Sequence, residues 1–164
     1  MPDKHYKLRF EQWIPVPIEQ VFNFFSNPNN LPRIMPAWMH ARVDSSELRS
    51  HRITGTGAEI VFSFRIFPGL PFRRRWTAKV VEFEPLHHFC DEQVSGPFAF
   101  WRHCHHFQKE DWDGRTGTRI TDEIKYSVGF GLAGRIMDRL LIRPQLKANF
   151  DPRQEAILKL LVKN

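Results

Sequence analysis

Between Ile60 and Val128 apolar and polar residues alternate with a period of two, and only short turns interrupt the pattern. Parallel neighbours need a connection of a dozen or more residues. No such connection exists here, so consecutive strands must pair antiparallel, as a meander. Ile60, Phe62, Phe64 and Ile66 open it. Pro68-Gly69-Leu70-Pro71 reads as a turn, because proline presets one backbone angle and glycine permits the others. Arg73 to Phe83 is the return strand, ended by Glu84-Pro85. Phe89 to Val94 follows, then Ser95-Gly96-Pro97 as a turn, a strand from Phe98, a turn at Asp113-Gly114, and a strand over Thr118 to Val128.

What flanks the meander is helical. Tyr6, Leu8 and Phe10 form one more half-buried strand, ended by Pro15 and Pro17. Pro17 suits a first helical turn, and Ile18, Val21, Phe22 and Phe25 continue at helical spacing. Asn27-Pro28-Asn29-Asn30 breaks that helix, and a second short one spans about Leu31 to Met35. Ala37 to Asp44 reads as a strand and Ser45 to Gly57 as a loop. At the other end, Leu132, Ile136, Leu140 and Leu141 share a helical face, as do Ile157, Leu158, Leu160 and Leu161. Pro144 must kink this helix or break it. Asp151-Pro152 reads as a cap and first-turn proline, so the last segment is either a separate short helix or a kinked continuation. The expected fold is α+β: a curved antiparallel sheet of six to seven strands, two short helices after the first strand, and a long C-terminal helix, the only element able to cover the concave face. A helix that spans a curved sheet without filling it leaves a cavity.

Bulk properties bound the rest. A chain of 164 residues suits one domain, 1–164. No run of about 18 apolar residues occurs, so no membrane-spanning helix is expected. The polar N-terminus lacks a signal-peptide core, which points to a cytoplasmic location. Cys90 and Cys104 cannot build a disulfide framework and read as free, small core residues. The net charge is +6, but basic residues stand singly except at Arg73-Arg74-Arg75, which fits a solvated face. Fifteen phenylalanines against two tyrosines mark a very aromatic core or a lined cavity. Those rings fall at inward positions, so no nucleic-acid partner is expected.

The chemistry concentrates in GPFAFWRHCHHF, Gly96 to Phe107. One face carries Phe98, Phe100, Arg102, Cys104 and His106; the other carries Ala99, Trp101, His103, His105 and Phe107. In the next strand Ile120, Asp122, Ile124, Tyr126 and Val128 share the apolar face. A turn centred on Asp113-Gly114 pairs residues whose numbers sum to about 227, setting Asp122 opposite His105, Ile124 opposite His103 and Tyr126 opposite Trp101. Directly opposed residues have Cβ atoms about 5 Å apart, within hydrogen-bond reach. This register also gives a buried carboxylate an imidazole partner, which burial demands. The expected site is an inward cluster of His103, His105 and Asp122, walled by Trp101, Phe107, Ile124 and Tyr126, with Asp91 and Gln93 joining from the neighbouring strand.

Three uses of this cluster compete with a purely structural role, a polar network of the two histidines and the aspartate. His103 and His105 point the same way and could take zinc, but a third ligand is missing and no HExxH or paired CxxC occurs; no metal and no cofactor are expected. His105 with Asp122 could act as a general base. Cys104 lies on the opposite face, which rules out a Cys/His nucleophile pair, and neither a GxSxG elbow nor a phosphate loop is present. Orientation of a ligand's carbonyl or hydroxyl is the third use. Phe67, Pro68, Leu70, Pro71 and Phe72 form an apolar hairpin tip suited to a lid, with Arg73 to Arg75 beside it.

Four segments carry a family resemblance: VPIEQVFNFFSNPNNLPRIMP (Val16 to Pro36), VVEFEPLHHFCDEQVSGPFAFWRHCHHF (Val80 to Phe107), GTRITDEIKYSVGFG (Gly117 to Gly131) and RPQL (Arg143 to Leu146). Together they resemble the SRPBCC superfamily, the START-like or birch-pollen-allergen-like helix-grip proteins, and within it a bacterial ligand-binding subgroup related to polyketide cyclase/dehydrase. Asp151-Pro152-Arg153 departs from the uninterrupted helix of that pattern. The resemblance implies a small hydrophobic or amphipathic partner, such as a lipid, terpenoid or polyketide, held between sheet and helix. The alternatives are a cyclase or dehydratase using His105 and Asp122, and an interaction module with a filled interior. Some members of such superfamilies dimerise, and the sequence leaves oligomeric state open.

Overall fold

The computed structural model describes residues 4–46, 53–66 and 69–162. Seven antiparallel strands form one sheet in the order β1-β7-β6-β5-β4-β3-β2. They are β1 (Tyr6–Ile14), β2 (Arg42–Ser46), β3 (Glu59–Arg65), β4 (Arg73–Glu84), β5 (His88–Ser95), β6 (Phe100–Trp112) and β7 (Arg115–Ser127). From β2 to β7 each strand pairs with its sequence neighbour, as short connections require, and β1 joins the far edge beside β7. Between β1 and β2 lie α1 (Ile18–Phe25) and the single turn α2 (Leu31–Ile34). α1 follows Pro17 directly and buries Val21 and Phe22; the Phe22 ring meets Phe83, Phe89 and Phe107 edge-on.

The β6–β7 hairpin fixes the site. Asp113 and Gly114 both have positive φ, 50° and 70°, which is the two-residue turn whose twist matches that of paired strands. From Trp112↔Arg115 the register runs to Phe100↔Ser127, and includes His105↔Asp122, His103↔Ile124 and Trp101↔Tyr126.

Two expectations need correction. Ala37 to Asp44 is not one strand: Ala37–Met39 is a 3-10 turn, and His40 leaves it in the left-handed region before β2 starts at Arg42. Pro36 sets up that tight turn. The cysteines are not free. Cys90 and Cys104 are directly opposed in β5 and β6, with Cα atoms 4.1 Å apart, and form a disulfide. It lies on the outer face, where Arg102 bridges Glu82 at 2.7 Å and Glu92 at 2.8 Å. Of the two arrangements open for the terminal helix, it takes the continuation. α3 (Gly131–Met137), a π-helical turn (Asp138–Ile142) and α4 (Arg143–Val162) run on without a break, and Pro152 sits inside α4. A wider turn just ahead of Pro144 accommodates its ring and its missing N–H. The bond Pro152 cannot make is one to Ala148, an exposed position.

The stripe of Leu132, Ile136, Leu140 and Leu141 faces solvent, not the sheet. α3 approaches the sheet with Gly134 and the π-turn with Asp138, both buried. A Cβ at Gly134 would lie 1.8 Å from the Gly129 carbonyl oxygen, so only glycine fits there. Asp138 receives the Tyr126 hydroxyl at 2.5 Å and Arg143 at 2.6 Å. That buried carboxylate pins the helix to β7. Part of the Ser45 to Gly57 loop (residues 47–52) and Phe67 and Pro68 of the hairpin tip lie outside the described residues.

Candidate functional site

Two apolar clusters lie between sheet and helix. One holds Ile14, Val21, Phe22, Val80, Phe89, Phe107, Ile120 and Ile157. The other holds Trp76, Trp101, Ile124, Tyr126, Val128 and Phe150. A polar belt separates them. On β6, His103 and His105 lie between Trp101 and Phe107; on β7, Asp122 lies between Ile124 and Ile120; on α4, Arg153 lies between Phe150 and Ile157. Strand alternation and helical spacing thus carry the polar groups to one level of the interior.

Asp122 is the hub. His103 Nε2 lies 3.0 Å from its Oδ1, His105 Nδ1 lies 2.5 Å from the same oxygen, and the Arg153 guanidinium lies 3.9 Å away. Both imidazoles thus converge on one carboxylate oxygen. The two imidazoles are 4.1 Å apart, centre to centre. Arg153 also lies over the rings of Phe150 and Phe25, at 5.2 and 6.0 Å, which suits a planar cation in an apolar setting. Asp91 enters from β5, directly opposite His103. It is only partly buried.

The electrostatics follow from burial and from the count of charges. Burial opposes ionisation of Asp122, but Arg153 and then His105 and His103 outweigh it, and its carboxyl is held well below the usual range. Burial, aided by the neighbouring His103, pushes His105 down to about 3, so it is neutral at physiological pH. Burial raises Asp91 to about 6 against the pull of His103 and Arg153. The belt has one fixed cation for two carboxylates, and Asp91 is the one left short.

The expected wall residues occupy the expected faces. Trp101, Phe107, Ile124 and Tyr126 are buried on the inner side with His103, His105 and Asp122. The Tyr126 hydroxyl is already committed to Asp138. Burial and that carboxylate push its pKa upward, so it presents only its ring to the interior. Gln93 is brought elsewhere: it donates to the Phe98 carbonyl at 2.7 Å and accepts from the Phe98 N–H at 3.3 Å, closing the β5–β6 turn. Arg153 went unread in the sequence. Its signal was the spacing Phe150, Arg153, Ile157, which sets an arginine on an otherwise apolar face.

Asp91 also supplies what a metal site lacked. Its carboxylate and the two imidazoles bring ligand atoms within 4.8 Å of one another. A zinc ion with ligands at about 2.1 Å holds them closer, roughly 3.4 Å apart, so these side chains would have to close in. The Glu82, Cys90 and Cys104 group on the outer face offers no thiolate, because both sulfurs are in the disulfide.

Residues 14–150 match the family model described as polyketide cyclase / dehydrase and lipid transport. The chain belongs to this family. Among solved structures it is similar to TTHA0849 from Thermus thermophilus, at 17% identity over 96% of this chain and 98% of that one, with a TM-score of 0.70. It is likewise similar to the Zhui aromatase/cyclase from Streptomyces sp. R1128, at 11% identity over 98% and 95%, TM-score 0.69. Ara h 8.0201 matches at 13% identity over 98% and 100%, TM-score 0.64. At these identities the likeness is one of fold, the helix-grip fold. Among curated proteins none matches the chain by sequence. Among the described residues no helix is long and apolar enough to cross a membrane.

Proposed function

We propose that the chain binds a small hydrophobic or amphipathic molecule between sheet and terminal helix, with rings against its apolar body and the belt against a polar group. The belt itself carries this reading. A protein filling its core for stability alone has no use for two carboxylates, two imidazoles and a guanidinium between two apolar clusters, since each is costly to bury. Binding sites combine apolar walls with a few placed polar groups in this proportion. Asp91 is the group of the belt least satisfied by its neighbours, its carboxyl raised to about 6 by burial. A ligand hydroxyl would donate to Asp91, and a carbonyl would accept from the belt. The family description, which joins cyclases with lipid transport, supports the same class of guest.

Native mass spectrometry of protein purified without a histidine tag tests the proposal. A stoichiometric co-purifying hydrophobic mass is expected, and His105→Phe should lower its occupancy at least tenfold. An interior that retains no guest and does not enhance the fluorescence of anilinonaphthalene sulfonate would overturn it.

A second reading, proton transfer in a cyclase or dehydratase, changes its actor. A histidine held near 3 is a weak base at neutral pH, whereas a carboxyl near 6 takes up and returns protons readily. If the site catalyses, Asp91 is the proton carrier and Asp122 orients the imidazoles. Turnover by the wild type and its loss in Asp91→Asn, with guest binding retained, would favour this reading.

A further inference from the structure

Four large apolar side chains are exposed just before and along the start of the terminal helix. Phe130 is 79% exposed, Leu132 72%, Ile136 54% and Leu140 66%. The last three recur every four residues, so they line the outer side of α3 and the π-turn, away from buried Gly134 and Asp138. The helix here is inside out: its glycine and its acid face the protein, and its leucines face water. Beside it, the β3–β4 hairpin end is tied to α4 by a Gln145 Nε2 bond to the Ile66 carbonyl, at 2.7 Å. That hairpin exposes Phe72 by 71% and Leu70 by 45%. That bond ties the hairpin to the same helix that carries the stripe. Exposed apolar patches of this kind mark interaction sites.

Charge identifies the partner. Between Gly129 and Phe150 the sequence has Arg135, Arg139, Arg143 and Lys147 against a single carboxylate, Asp138. Asp138 is 1% exposed and already bonded to Tyr126 and Arg143. From Ile66 to Trp76 there are three arginines and no carboxylate. Arg73 is used internally, donating to the His40 and Ser63 carbonyls. Arg74 and Arg75 are exposed. Arg74 pairs with Phe64, and so stands on the concave side at its rim.

We infer that this end of the molecule docks on an anionic lipid bilayer, with Phe130, Leu132, Ile136, Leu140 and Phe72 entering the interface and Arg74, Arg135 and Arg139 meeting headgroup phosphates. Large apolar side chains flanked by arginine are the composition of a helix that lies in the membrane surface, and each basic residue near an anionic leaflet adds to the attraction. A second copy of the chain is the poorer partner. Two such faces would bring arginines together without carboxylates to pair them, and like charges brought together oppose association.

Co-sedimentation of the full chain with vesicles tests this. Phosphatidylcholine vesicles containing about a third phosphatidylglycerol should pellet the wild type, and pure phosphatidylcholine vesicles far less. Salt at 0.5 M should weaken the binding without abolishing it. L132S/I136S/L140S should lower partitioning at least tenfold, and R135E/R139E should remove the preference for anionic vesicles. Circular dichroism and guest occupancy should stay unchanged in both variants, which separates this surface from the interior belt. The inference fails if the wild type ignores anionic vesicles, if the leucine variant binds them equally well, or if analytical ultracentrifugation shows a dimer that the leucine variant loses while vesicle binding is absent.

Discussion

The two halves of the terminal helix break the usual placement of residues in opposite directions. Near its C-terminal end the helix carries an arginine inward, at Arg153, between Phe150 and Ile157. Near its N-terminal end it turns Leu132, Ile136 and Leu140 out to water. A helix selected only to cover a sheet would do neither. Local rules broken without evident gain in stability are expected where a fold carries function. The inward anomaly sits where a guest would be held, and the outward one where a surface would be met.

The sharpest way to break this contrast is Arg153→Met. It removes the cation from the buried Asp122 carboxylate and leaves it uncompensated, which costs about 3–5 kcal/mol. Urea unfolding measures it, and a loss below about 1 kcal/mol would mean that the belt is not electrostatically closed.

Asp91→Asn should do the reverse. A folded pKa raised to about 6 means that the ionised carboxylate is the disfavoured form above that pH. A neutral amide removes the penalty, so the variant should be more stable at pH 7.5 by up to about 3 kcal/mol, and the gain should vanish below about pH 4, where both folded and unfolded carboxyls are protonated.

His105 acts against Asp91 as pH falls. Its folded pKa of about 3 lies below the unfolded value, so the unfolded chain takes up the proton first and stability is lost on acidification below about pH 6.5. Between about pH 6 and 4 the two effects oppose each other, and the wild type should vary little through these groups. Asp91→Asn exposes a loss of about 1.4 kcal/mol per pH unit there, and His105→Gln a gain of similar size. Equal slopes in all three proteins would refute the assignment.

The smallest effect is expected at the other half of the helix. Leu132→Ser, Ile136→Ser and Leu140→Ser should each change stability by no more than about 0.5 kcal/mol, because these side chains are exposed. Thermal unfolding checks this, and a large loss would show that the stripe packs against something in solution.

The same contrast marks what the sequence disclosed. Period-two alternation determined the sheet, and the Asp113-Gly114 turn determined the β6–β7 register residue by residue, so the meeting of His105 with Asp122 was legible. The cysteine bridge follows from the same arithmetic across Pro97, since Cys90 pairs with Cys104 and Phe89 with His105. It was missed because Phe98 and Ala99 precede β6 and obscure where that turn centres. Helical spacing tells which residues share a face but not which way the face turns, so the leucine stripe gave no hint of its exposure. Arg153 was hidden by Asp151-Pro152, which read as a helix start when the helix runs through it.

The fastenings of the helix are unequal along its length. Near its far end, separation from the sheet would pull the Arg153 guanidinium off the Asp122 carboxylate within a medium that screens charge poorly. At the hairpin, movement would break the Gln145 bond to a single main-chain carbonyl, worth about 1 kcal/mol. Parting the two layers is therefore expected to cost less at the hairpin than at the Arg153 end.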